Sequence, residues 1–276
     1  MFKFRIIGFI LLMALLGGIF FWDAGGIWLF IGVTPAFVAA AAGECCSMLD
    51  RSGRKSFVLP AALAVWLLAA GIMLGNVVPA AYIGAVILFG ALLIAGCGTV
   101  LSMKTDNLER LFNSAAVVVL LVPSFILLLQ SYFLPPAGYW LIFLCLVTKA
   151  TDTGGYIVGT LTAKLPGGNH KIAPQVSPKK SWEGLIGGML LSLAVSWAFY
   201  AFGSAPAALW WHIVAAVVLS LGSFFGDLTE SAIKRLCNIK DSGSFVPGMG
   251  GAFDVLDSFI YNGLLFWPLF IIKDLF

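Results

Sequence analysis

Four residues set at helical spacing carry the first sign of chemistry. Asp227, Glu230, Ser231 and Lys234 recur at i, i+3, i+4 and i+7 within residues 226–235. That spacing puts two carboxylates, a hydroxyl and an ammonium along one stripe of a helix. By itself such a stripe fits an interfacial helix with snorkelling Lys and Arg as well as a phosphate site. The residues that follow favour the phosphate site. After Lys240-Asp241-Ser242-Gly243 comes Pro247-Gly248-Met249-Gly250-Gly251, and then Asp254 and Asp257 three positions apart. Glycines let a backbone approach a phosphate and expose its N–H groups, and a helix N-terminus adds a favourable dipole for anions. Asp227, Asp254 and Asp257 supply the hard oxygen ligands that Mg²⁺ prefers when it bridges to substrate phosphates. One Asp at a helix start is an ordinary cap; the second, a turn deeper, is more than a cap needs. Carboxylates, loop glycines and flanking basic residues together point to phosphoryl or nucleotidyl transfer, where positioning and charge neutralisation supply most of the catalysis.

A third patch lies upstream. Asp152 stands among Thr151, Thr153, Gly154 and Gly155, and His170-Lys171 leads on to Ser177-Pro178-Lys179-Lys180-Ser181-Trp182-Glu183-Gly184. The Lys179/Lys180 pair can neutralise a triphosphate, and Ser181 with Gly184 can line a nucleotide pocket. A basic loop beneath a membrane also serves as a contact for anionic lipid, and both readings stay open for this patch alone. Nucleotide motifs of soluble folds are missing: the sequence has neither a GxxxxGK[ST] loop nor a GxGxxG. The chain holds two His and five Cys without a CxxC pair, which gives little support to His-ligand metal sites, a Ser/His/Asp triad or a disulfide framework. His212, in Trp210-Trp211-His212, reads as a membrane-edge residue.

The elements that must position these residues are set by composition. With 61% hydrophobic and 11% charged residues among 276, and a mean hydropathy of +1.01, the chain is not an ordinary soluble domain. It reads as an all-α, polytopic integral membrane protein; a secreted disulfide scaffold, a disordered chain and a free cytosolic enzyme are excluded. Apolar windows predict nine transmembrane helices, near 4–21, 26–43, 57–75, 80–101, 112–134, 138–160, 184–203, 208–226 and 252–272. The first is expected to be a retained helix rather than a cleaved signal. Alternating these spans places fifteen of the sixteen Lys and Arg residues on one face, with Lys273 the exception. The face that gathers positive charge is cytoplasmic, so the N-terminus is expected inside. Residues 1–135, about five helices, read as a scaffold poor in ionisable groups; residues 136–276 read as the catalytic membrane region. The net charge of +3 points to no nucleic-acid partner.

Taken together, these blocks resemble the phosphatidate cytidylyltransferase (CDP-diacylglycerol synthase) family. The resemblance rests on Ser231, Lys234-Arg235, Lys240-Asp241, Gly243, Gly248-Met249-Gly250-Gly251 and Asp254 with Asp257. It extends upstream to Asp152 with Gly154, His170-Lys171, residues 177–184 and Gly226-Asp227 with Thr229-Glu230. It is dense over roughly residues 149–258 and, before that, a matter of hydrophobic character. Where the family has His, this chain has Met249, which cannot donate a proton or hold a phosphate by a hydrogen bond. The resemblance implies transfer of CMP from CTP to phosphatidate, giving CDP-diacylglycerol and pyrophosphate, with Mg²⁺ as cofactor and room for a second cation. It implies Asp227, Asp254 and Asp257 on the metal, and Lys180, Lys234, Arg235 and Lys240 on the phosphates. Ser231, Asp241, Gly248, Gly250 and Gly251 would orient those phosphates, with Asp152 and Ser181 lining the substrate site. It further suggests a homodimer, in a bacterial inner membrane with the site on the cytoplasmic side. The alternatives are an ion-coupled transporter, which intramembrane carboxylates also serve, and a non-catalytic lipid-binding relative.

Overall fold

The computed structural model describes residues 14, 17–20, 22, 25–78, 105–203, 207–243, 245 and 250–274. Its helices are α1 (Gly26–Arg51), α2 (Val58–Gly75), α3 (Thr105–Gln130), α4 (Tyr139–Thr162), α5 (Trp182–Phe202), α6 (Leu209–Leu236), α7 (Ala252–Leu256) and α8 (Asn262–Ile272). Seven spans among the described residues are long and apolar enough to cross a bilayer. They correspond to seven of the nine expected, and the chain is a polytopic all-α membrane protein. Of the other two, 80–101 lies outside the described residues, and so does 4–21 apart from residues 14 and 17–20.

Two helices outrun their apolar windows. α1 continues past residue 43 to Arg51 and so takes in Glu44 and Asp50, and α6 continues past residue 226 to Leu236, carrying the polar stripe in helical form. The last span is not one helix. α7 gives way at Asp257–Phe259 to a 3₁₀ turn before α8 begins. There the Asp257 carboxylate accepts from the Ser258 backbone N–H at 2.5 Å and hydroxyl at 2.8 Å, a local bond that competes with the helical ladder. An antiparallel hairpin, β1 (Lys171–Ala173) with β2 (Ser177–Ser181), occupies the polar stretch between α4 and α5.

The chain divides into two units: Met1–Val122 with Leu236–Leu256, and Pro123–Arg235 with Asp257–Phe276. In the first, α1 packs on α2. Their connection is held to α3 by Phe57 N–H donating to Ser114 Oγ (2.8 Å), Asn113 Nδ2 donating to Lys55 O (2.8 Å), and a Lys55–Asp106 ion pair. Residues 236–256, which the sequence groups with the catalytic half, pack in this unit.

In the second unit α4 and α5 pack through glycine. A Cβ at Gly154 would come within 2.5 Å of Gly187 O, and one at Gly188 within 2.6 Å of Thr151 O, so backbone lies nearly on backbone. Where helices approach this closely, hydroxyls can bond across them: Thr151 Oγ1 lies 3.0 Å from Ser220 Oγ, and Asn262 Nδ2 donates to Thr148 Oγ1 at 2.7 Å. Trp140 packs edge-on against Phe143 and Trp211, which are tilted on each other, and Trp211 Nε1 donates to Leu269 O. His212, expected at a membrane edge, has its side chain in this aromatic core. It is 1% exposed, its ring packs against Phe143 and Trp211, and Ser196 Oγ donates to its carbonyl at 2.8 Å.

The α4–α5 contact sets a test. Gly188→Ala is expected to lower the melting temperature of the detergent-solubilised protein by several degrees, because its new methyl meets a carbonyl. Gly32→Ala, which meets nothing within 4 Å, is expected to leave it unchanged or slightly raised.

Candidate active site

Three segments of the second unit converge on one cavity. α4 brings Asp152, the hairpin brings Lys171, Lys179, Lys180 and Ser181, and α6 brings Asp227, around a volume of about 670 Å³. The hairpin is seated by its ends. Ser181 caps α5, its Oγ accepting from Gly184 N–H at 3.1 Å, and Glu183 in the first turn accepts from His170 N–H (3.1 Å) and contacts its Nδ1 at 2.6 Å. That clamp directs β2 so that Lys180 reaches α6. Lys180 Nζ lies 3.0 Å from Asp227 Oδ2, donates to Phe224 O at 3.1 Å and stands 4.3 Å from the Phe224 ring centroid. Four lysines, Lys164, Lys171, Lys179 and Lys180, line a space that holds two carboxylates. Its electrostatics suit a polyanion.

Beside it lies a carboxylate trio. Ligand oxygens of Asp227, Glu230 and Asp257 lie within 4.8 Å of one another. Backbone contact makes this possible: α6 has no side chain at Gly226, and a Cβ there would strike Asp257 O. Glu230 is 2% exposed and ion-paired with Lys234 one turn on, while Ser231 Oγ donates to Asp227 Oδ1 at 3.4 Å. Asp152 accepts from Ser223 Oγ (2.8 Å) and Lys149 Nζ (3.0 Å), and its Oδ2 lies 2.8 Å from Ser258 Oγ. Three carboxylates at this separation repel one another unless cations lie close, and their hard oxygens match the ligand preference of Mg²⁺.

The structure therefore brings Asp152, Lys180, Ser181, Ser231, Asp227, Asp257 and Lys234 together in one unit. Arg235 sits at its edge, with Nε donating to Val176 O at 3.3 Å. Glu230, which the sequence places on the same stripe as Asp227 but outside the expected metal-ligand set, lies with Asp227 and Asp257 here. In the sequence Lys149 counts only as a charge.

Asp254 belongs to the first unit, and its carboxylate is engaged inside that unit. It accepts from Gly251 N–H at 2.8 Å and from Ser242 N–H at 3.2 Å. Gly250, at φ +107°, lies against the same carboxylate, a conformation that L side chains rarely adopt. Lys240 and Asp241 are exposed, and Asp241 lines a second cavity of about 580 Å³ with Ser242, Gly243 and Glu44. Gly248 and Met249 lie outside the described residues.

Glu44 is the second residue that sequence reading missed. From α1 its Oε2 accepts from Ser242 Oγ at 3.2 Å and from Phe253 N–H at 3.0 Å, and side chains at Gly243 or Gly251 would collide with it. A helix expected to be plain scaffold thus bonds both Ser242 and the start of α7 at Phe253. The available signal was one acidic residue just past an apolar run, where burial without a partner is expensive.

A family model described as the cytidylyltransferase family matches residues 3–272. The chain belongs to that family. Proteins named phosphatidate cytidylyltransferase are similar to it in part. The one from Staphylococcus saprophyticus is 41% identical over 123 residues, which is 45% of this chain and 45% of that protein. Those from Staphylococcus haemolyticus and Staphylococcus epidermidis are 39% identical over 123 and 122 residues, again 45% of each relative's length. The matched stretch thus spans less than half of each relative.

The Glu44 anchor sets a second test. Glu44→Ala removes the acceptor for Phe253 N–H and Ser242 Oγ and is expected to cost about 1–3 kcal/mol, read as a lower melting temperature and faster proteolysis in the 242–253 loop. Glu44→Gln, which keeps an acceptor oxygen, is expected to lose less than half as much.

Proposed function

We propose that this family member transfers CMP from CTP to the phosphate of phosphatidate, releasing pyrophosphate and leaving CDP-diacylglycerol in the bilayer. The observation that carries the reading is the lysine-lined cavity holding Asp152 and Asp227, with the Asp227, Glu230 and Asp257 trio in the same unit. The names of the relatives and the motif resemblance support the same substrates.

The chemistry asks little of a general base. The attacking phosphate oxygen of the lipid is already ionised at neutral pH; it bonds to the α-phosphorus of CTP while the bond to the β-phosphate bridging oxygen breaks, and pyrophosphate departs with the electron pair. What the protein must supply is alignment of two anions and positive charge near the leaving group. Lys171, Lys179 and Lys180 are the cavity's cations for the triphosphate. Asp227, paired with Lys180, sets the direction of that ammonium; Ser181 lines the wall beside it.

Asp227, Glu230 and Asp257 are the residues that would hold Mg²⁺ in the second unit, and the donor set fits, since all three offer carboxylate oxygen. When bound, the ion would supply further charge neutralisation to the triphosphate. We assign Asp254 to shaping the 242–251 loop, through Gly251 and Ser242. Within the second unit, Ser231, Lys234 and Arg235 keep the phosphate roles that the motif resemblance implies; for Lys240, Asp241, Gly248, Gly250 and Gly251 those roles rest on the resemblance alone. A homodimer and a place in a bacterial inner membrane, with the site on the cytoplasmic side, belong to the same proposal; the one-sided distribution of Lys and Arg supports the orientation.

The test is transfer itself. Purified full-length chain in mixed micelles, given α-labelled CTP, phosphatidate and Mg²⁺, is expected to place label in an organic-soluble product and to release one pyrophosphate per transfer. Asp227→Asn is expected to lower kcat by roughly a hundredfold or more. Wild-type protein that is folded yet moves no label into lipid overturns the reading.

A further inference from the structure

Lys149 has no part in the reaction as described, yet its ammonium meets three groups of the second unit. It precedes Asp152 by one turn of α4. Its Nζ lies 3.0 Å from Asp152 Oδ2 and 3.3 Å from Ser258 Oγ, and stands 5.0 Å from the centroid of the Phe259 ring. Ser258 Oγ in turn lies 2.8 Å from Asp152 Oδ2 and 2.8 Å from Asp257 Oδ1. A hydroxyl has one hydrogen to give. Asp152 already takes bonds from Lys149 and from Ser223 Oγ, whereas Asp257 Oδ1 also takes the Ser258 backbone N–H. The two carboxylates lie equally far from that hydroxyl, whose oxygen also takes the Lys149 ammonium; as a donor to Asp257 it joins the Ser258 backbone N–H in fixing that carboxylate.

A charge relationship runs through the same contacts. Asp227 is faced by Lys180, and Glu230 by Lys234. Lys149 stands in the corresponding place for Asp152 directly and for Asp257 through one hydroxyl. The other groups on this pair are the neutral Ser223 and Ser258 and, facing Asp257, the carboxylates of Asp227 and Glu230. Lys149 is therefore the cation that limits how much negative charge the Asp152/Asp257 side of the trio presents, and part of what holds Asp257 in its present direction.

We propose that Lys149 is a positioning residue: a fixed counter-charge that orients Asp257 through Ser258 and weakens the hold of the Asp227, Glu230 and Asp257 trio on a divalent cation. The inference rests on the carboxylate trio being the cation site of the proposed reaction. Tight cation binding by the trio would slow release of a pyrophosphate that carries the same ion, so a resident ammonium tunes the site toward turnover.

Mn²⁺ serves as the probe, bound to the full-length chain in nanodiscs without CTP or phosphatidate and read by electron paramagnetic resonance; kcat and KM for CTP are measured alongside. Lys149→Met, which removes the charge but keeps the length, is expected to bind Mn²⁺ roughly tenfold more tightly, by the Coulomb term of one nearby cation. Its kcat is expected to fall by about tenfold with KM for CTP within twofold. Lys149→Arg should restore Mn²⁺ affinity to near wild type and recover most of kcat. A merely structural lysine would not shift Mn²⁺ affinity upward, so unchanged or weaker Mn²⁺ binding by a monodisperse Lys149→Met protein overturns the proposal. Should Lys149→Met not fold, Ser258→Ala cuts the link to Asp257 while leaving the ammonium. It is expected to lower kcat with Mn²⁺ affinity within about twofold, and an unchanged kcat overturns the positioning role. Tighter Mn²⁺ binding in Lys149→Met, in a chain whose wild type transfers no CMP, removes the proposed reaction but leaves the counter-charge role standing.

Discussion

The absence of a side chain at position 226 is the constraint on which the rest of the second unit depends. Because α6 can lie with its backbone against Asp257 O, the acid that follows Gly226 and the acid that opens the 3₁₀ turn reach the same small volume. A methyl group there would strike Asp257 O and force the two segments apart. Once the acids are gathered, their repulsion must be offset in a low-dielectric setting. The chain does so locally: a lysine from the hairpin, a lysine one turn along α6 and a lysine from α4 each meet one part of the group.

The glycine stripes of α4 and α5 extend the same principle to scaffold packing. Helices in a bilayer gain little from burying apolar surface against each other, since lipid is as apolar as leucine; close approach and interhelical hydrogen bonds must supply the contact energy instead. Gly154, Gly187 and Gly188 permit the approach, and Thr148, Thr151, Ser220 and Asn262 supply the bonds. That interlock holds Asp152 still, so the stiffness of the cavity wall and the stability of the unit come from the same residues.

Much of this was legible in the sequence, because its signals were local. Apolar runs gave the spans, the i, i+3, i+4 stripe survived as an unbroken extension of α6, and Asp227 and Asp257 do meet. What stayed hidden depends on long-range placement. Nothing in the spacing of Asp254 and Asp257 says that the helix breaks between them and sends one carboxylate to each unit, since the break is made by Asp257 turning onto Ser258. Glu230 reads as an outward snorkelling partner of Lys234 until Asp257 is seen beside it. His212 looked like a membrane-edge residue because Trp210 and Trp211 resemble an aromatic belt, whereas Trp211 is fully buried and carries the imidazole inward with it.

The Glu44 anchor carries a consequence for how such chains diverge. Judged by ease of entry into a membrane alone, replacing an acidic residue in α1 with leucine is an improvement, since carboxylates within a span are disfavoured during insertion. Here that gain would release the glycine loop at Ser242 and Phe253. Selection for efficient biogenesis and selection for a well-held loop therefore pull this one position in opposite directions, and a hydropathy profile records only the first of them.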